Sequence, residues 1–163
     1  ELGARSDHWP VEMMPVTPYV SCAAAKIAIN GTQVRVLGAE RTFWEKATIL
    51  HAISNGSKLR ARMSRHYYDM GQMANSPVYG IAIKNIDLLM KVAEHKALFF
   101  RDSKARYDLA KPGSLRLMPP GEHLVQLKDD YRQMHEMFFD DPPAFESILE
   151  RVSIVEEEIN RIK

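Results

Sequence analysis

Cysteine is almost missing. Cys22 stands alone in 163 residues, so no internal disulfide framework can form, and no Cys/His spacing suits zinc. That pattern fits a reducing cytoplasm, with Cys22 read as a small buried residue rather than a nucleophile. An excess of one charge is missing too. With 22 basic residues against 21 acidic ones there is no global nucleic-acid signature, so any contact with RNA or a nucleotide has to come from a local patch. The apolar runs are far too short to cross a bilayer and no signal peptide precedes the first motif, so the chain reads as soluble. Repeats and low-complexity tracts are absent. What is present is an apolar content of 45%, enough for one real core.

The pattern predicts an α+β fold: a small antiparallel strand region over residues 1–38, then a mostly helical part over residues 39–163. Residues 1–6 read as a strand, and Pro10, Pro15 and Pro18 keep the next stretch extended. Asn30-Gly31 lies between Lys26–Ile29 and Gln33–Leu37, two alternating segments, and predicts a hairpin.

The richest chemistry falls between Arg41 and Asp69. Thr42 and Glu45 have capping-box spacing, which predicts a helix from Thr42 with Lys46 about one turn in. A lysine near a positive helix end gains nothing from the dipole, so an anionic partner would account for it. After a Ser-Asn-Gly-Ser turn, Lys58, Arg62, Arg65 and Asp69 recur at steps of three or four and should line one side of a second helix. Leu59, Met63, Tyr67 and Met70 then form its buried side. An antiparallel hairpin of the two helices would gather Lys46, Arg62, Arg65 and Asp69 in one place. Such a set suits a phosphate-bearing ligand, with the arginines as forked donors and the carboxylate as base or metal ligand. The same spacing is also that of an ordinary surface ion pair of small energetic weight.

Glu40-Arg41-Thr42-Phe43-Trp44-Glu45-Lys46 and Ser64-Arg65-His66-Tyr67-Tyr68-Asp69 resemble the third and fourth motifs of the AbiEii/AbiGii toxin family of nucleotidyltransferases. The resemblance implies an active-site role for Lys46 and Asp69. Looser likeness covers Glu1–Ser6, Gly113–Leu117 and Asp130-Tyr131, and His66 stands where many relatives carry an acid. The family's Gly-Ser turn and Asp-x-Asp strand, where alternate carboxylates share metal ions, have no counterpart in these residues. The chain is therefore expected to be the C-terminal portion of a nucleotidyltransferase, inactive by itself, with residues 1–38 the remainder of the sheet and Glu1 a candidate third carboxylate. The resemblance further implies an NTP substrate, Mg²⁺ held mostly by carboxylates outside this chain, and possible tRNA and antitoxin partners. Arg62 and Arg65 would hold phosphate. The alternative is a non-catalytic helical module that binds RNA or an antitoxin.

Downstream, Ala74–Gly80 is rich in breakers, and Asn85 or Asp87 could cap a helix to about Phe100 with Ile86, Leu89, Met90 and Ala93 inward. Arg101, Lys104 and Arg106, flanked by Phe100 and Tyr107, form a basic cluster that an RNA backbone could meet. Leu115–Met118 reads as a short extended piece. Helices are expected over about 122–139 and 144–162, the latter with Phe145, Ile148, Leu149, Val152, Val155 and Ile159 on one stripe. Glu156 and Glu158 read as a solvated face of that last helix.

Overall fold

The computed structural model describes residues 7, 9–20, 31–56, 58–138 and 140–162. The architecture is α+β: a two-stranded antiparallel sheet and a series of helices. The chain divides into two units, Glu1–Ala39 and Glu40–Lys163.

In the first unit β1 (Val11–Val16) pairs with β2 (Thr32–Leu37), Val11 opposite Leu37 and Val16 opposite Thr32. The ribbon is closed beyond Leu37 by the Gly38 N–H, which donates to the Pro10 carbonyl at 2.8 Å. Pro15 is tolerated opposite Gln33 because a two-stranded ribbon is all edge and a missing N–H can face outward. The strand expected at Gln33–Leu37 is present, but its partner is Val11–Val16. The Lys26–Ile29 segment, Asn30, Cys22 and residues 1–6 lie outside the described residues. Tyr19 and Val20, just after Pro18, are helical rather than extended.

The second unit opens with α1 (Ala39–Asn55), which starts three residues before Thr42. No capping box forms. Glu45 turns to Arg41 instead, its carboxylate 3.1 Å from Arg41 Nε, while Glu40 places the first-turn negative charge that a helix N-terminus favours. Lys46 therefore lies inside the helix rather than at its positive end, and the dipole argument for an anion loses its footing. The second helix, α2 (Ser64–Ala74), begins later than the periodicity predicts. Asp130 is the reason: its carboxylate accepts from Arg62 N–H at 2.7 Å, Ser64 N–H at 2.8 Å and Ser64 Oγ–H at 2.6 Å. A side chain from α5 (Leu124–Gln133) thus satisfies amides at the start of α2, where an anion is also favoured by the dipole. Lys58 and Arg62 precede that helix and do not share its face, and Arg62 takes a left-handed backbone at φ 63.

Ala74–Gly80 is not merely a break. Ser76 caps α3 (Pro77–Lys84), accepting from Val78 N–H, with Pro77 at the first helical position where its missing donor costs nothing. Next, α4 (Ile86–Phe99) buries Leu88, Leu89, Val92 and Ala93, while Met90 faces outward. A single turn of 3-10 helix, Gly121–His123, leads into α5, and another, His135–Met137, comes after it, so the long helix expected over 122–139 is broken at both ends. Finally α6 (Phe145–Asn160) buries the apolar stripe expected of it.

The core joins these helices. Phe43, Trp44, Ala47 and Leu50 of α1 meet Tyr67 and Met70 of α2, Leu88, Leu89 and Val92 of α4, and the α6 stripe. Phe43 and Trp44 stack edge to face with ring centroids 4.9 Å apart. Helix α2 approaches α6 closely at Gly71, where an added Cβ would come 3.3 Å from Ile148.

The piece Leu115–Met118 is held by side chains in place of a sheet. Asn160 both accepts from Leu115 N–H, at 3.0 Å, and donates to Leu115 O, at 2.9 Å. Glu156 accepts from the amides of Leu117 and Met118. Glu158 accepts from the Tyr79 hydroxyl. These glutamates bind specific donors and are not simply a solvated face. On the other side His51, fully buried, donates from Nε2 to Arg106 O at 2.9 Å and accepts the Arg116 N–H at Nδ1 at 3.0 Å. Accepting at Nδ1 needs the neutral imidazole, and burial pushes its pKa down.

Candidate active site

Lys46 from α1 and Asp69 from α2 meet. The ammonium lies 2.6 Å from Asp69 Oδ2, although the residues are 23 positions apart in sequence. The apolar faces of the two helices enter the same core, which brings their polar flanks side by side. The side chains remain 21% and 39% exposed, so the pair is ordered by the fold yet open to a ligand. His66, one turn before Asp69 on α2, places Nδ1 3.3 Å from the same ammonium.

Positive charge surrounds this pair. Burial first, then the charges of Lys46 and Arg65, push the His66 pKa down to about 4; Asp69 opposes them and Lys96 of α4 adds to them. Arg65 is exposed on the first turn of α2. Arg62 is exposed as well, but its position outside the helix separates it from the face that carries Arg65 and Asp69. Periodicity does not single out Lys96, because a single lysine near the end of α4 reads as solvated surface. It sits over the Phe100 ring at 4.5 Å. Nor does the sequence mark Asp130 as a positioning residue, since nothing local identifies a carboxylate on one helix as the cap of another.

The basic cluster further along is less cationic than its sequence implies. Arg106 is bound twice by Asp108, at 3.0 and 2.9 Å, and Asp102, which accepts the backbone amide of Lys104 at 2.9 Å, adds a second negative charge to the same segment. A cavity of about 330 Å³ between α4 and this segment is lined by Met90, Ala93, Tyr107 and Lys111, and neither Lys46 nor Asp69 reaches it.

The donor set at Lys46 does not fit a magnesium ion. Among the described residues no group of three or more His, Cys, Asp or Glu side chains could hold a metal. Asp69 is the carboxylate at hand, and an ammonium occupies one of its oxygens. No described helix is long and apolar enough to cross a membrane.

His51 and His66 give the unit a defined acid response. Both have folded-state pKa values below the ordinary 6.5, so as the pH falls below 6.5 the unfolded chain takes up protons that the folded one refuses. Stability is expected to be whole above pH 6.5 and to fall towards pH 4, His66 contributing up to about 1.4 kcal/mol per unit. Urea unfolding at pH 7 and pH 5 checks this. Equal stability at the two values would refute it.

What the fold presents is an ammonium and a carboxylate held together at an accessible, net-positive spot, a site of the kind that receives a phosphate-bearing ligand. Residues 1–151 match the family model described as nucleotidyl transferase AbiEii toxin, type IV TA system, and the chain belongs to that family. Comparison with curated proteins and with solved structures gives no match.

Proposed function

We propose that this chain carries the lysine–aspartate half of a nucleotidyltransferase site that moves a nucleotide from an NTP to an acceptor hydroxyl such as that of a tRNA. The observation that supports the reading is the 2.6 Å contact of Lys46 with Asp69, made by the two residues that the family motifs single out. Asp69 takes the proton of the attacking hydroxyl, whose oxygen bonds to the α-phosphorus while pyrophosphate leaves. Lys46 offsets the charge that grows on the phosphate oxygens. Arg65 holds phosphate beside it, on the face that carries Asp69. The strands Val11–Val16 and Thr32–Leu37 would be the remainder of a nucleotidyltransferase sheet that the metal-binding head completes. Magnesium would contribute charge neutralisation from carboxylates held mostly outside this chain, and the steps assigned to Lys46 and Asp69 do not depend on where it is held. The partners are the NTP, the acceptor RNA and a cognate antitoxin, in the cytoplasm.

Labelled-nucleotide incorporation into RNA tests this. The 163-residue chain is expected to be silent alone and to transfer nucleotide once joined to a Gly-Ser and Asp-x-Asp head. Transfer by the chain alone contradicts the division of labour. Silence with the head present, and RNA or antitoxin still bound, would replace the enzyme with a binding module.

A further inference from the structure

Asp69 is not alone in facing Lys46. His66 Nδ1 lies 3.3 Å from the ammonium, and His66 itself is only 8% exposed. An ammonium has donors and no acceptor, so the imidazole must accept at Nδ1 and carry its proton on Nε2. We propose that His66 is a positioning residue: with Asp69 it holds two of the three N–H groups of Lys46, so that the third is aimed at the triphosphate. The inference rests on the role given to Lys46 above.

The geometry explains why a carboxylate alone would serve poorly. Lysine ends a flexible four-carbon stem, and a single acceptor leaves the ammonium free to pivot. His66 and Asp69 stand three residues apart on α2 and meet Lys46 as a fork. Asp69 must also change during the reaction. Once it accepts the hydroxyl proton its attraction for the ammonium weakens, and a neutral imidazole keeps its hold because its lone pair is not consumed. His66 does not compete for that proton. It is buried, and the charges of Lys46 from α1, Arg65 from α2 and Lys96 from α4 act against its protonation, with Asp69 opposing them. An acid in its place would hold the lysine equally well, but it would add a second negative charge where phosphate must bind.

Two measurements on the full chain test this without relying on turnover. Nitrogen–proton correlation spectra at neutral pH are expected to show His66 as the Nε2–H tautomer; an Nδ1–H tautomer or an imidazolium overturns the proposal. Inorganic tripolyphosphate is then titrated against three chains. His66→Leu, which removes the acceptor at similar volume, should weaken binding about tenfold, the worth of one charge-assisted hydrogen bond. His66→Asn places an amide oxygen near the position of Nδ1 and should bind within about threefold of the unsubstituted chain. Equal binding by the leucine variant, or no measurable binding by the unsubstituted chain, would overturn it. Should tautomer and binding both hold while no nucleotide is transferred in any preparation, the enzyme reading falls and the positioning of the ammonium stands.

Discussion

Lys46→Met, assayed with the metal-binding head present, is expected to lower nucleotide transfer by about two to three orders of magnitude, the usual cost of removing one preorganised donor at a developing charge. Asp69→Asn should lose about two to four orders of magnitude if the carboxylate is the base. Combining the two should cost little more than the worse of them, because groups that act as a unit are not additive. Stability gives the control. The pair is 21% and 39% exposed, and ion pairs in that setting contribute about 1 kcal/mol or less. Both variants should therefore unfold at nearly the denaturant concentration of the parent while losing activity. Initial rates with labelled nucleotide, taken beside urea unfolding curves, decide it. Full activity in either variant would remove the residue from the chemistry, and a large fall in stability would make the pair a structural link.

Asp130→Ala carries the second large expectation, about 2–4 kcal/mol of lost stability. One carboxylate receives three donors from Arg62 and Ser64, and its removal strands the Ser64 amide and hydroxyl in a part-buried setting. Burial alone would raise the Asp130 pKa, but the bonds from Ser64 and Arg62 outweigh it and hold the acid below its ordinary range. Asp130→Asn keeps an oxygen acceptor and should cost about half as much. Urea denaturation at neutral pH measures both. A loss below about 1 kcal/mol for alanine would mean that solvent replaces the carboxylate and that α2 does not need it. Because α2 carries Arg65, His66 and Asp69, the alanine variant should also loosen tripolyphosphate binding, although it touches no phosphate itself.

The parts of this molecule that are legible in the sequence are those in which a residue and its cause lie close together in the chain. The α6 stripe from Phe145 to Ile159 obeys helical periodicity and is buried as expected. The meeting of Lys46 with Asp69 is also legible, because two amphipathic helices with a short connection have few ways to pack. Where the cause lies far away, local pattern misleads. Periodicity carries the second helix back to Lys58, but Asp130, more than 60 residues on, fixes its start at Ser64 and leaves Arg62 in a left-handed turn. Thr42 and Glu45 have the spacing of a capping box, yet Arg41 competes for Glu45 and the helix starts earlier. Ser76-Pro77 reads as a stop, whereas the same two residues make a good start. Glu156 and Glu158 look solvated in sequence because Leu117, Met118 and Tyr79, their donors, are remote. His66 is visible as a departure from an acidic position, but only the folded chain places its lone pair on Lys46.

Gly71 has a mechanical side. Helices α2 and α6 touch there with no side chain on α2 to act as a cushion, and the Ile148 branch rests almost on bare backbone. Asp69 lies only two residues earlier on that backbone. Close-packed interiors transmit displacement rather than absorb it. Any load that shifts α6 along its axis is therefore delivered to the turn that bears the carboxylate, and the distance from acid to ammonium becomes a gauge of where α6 sits.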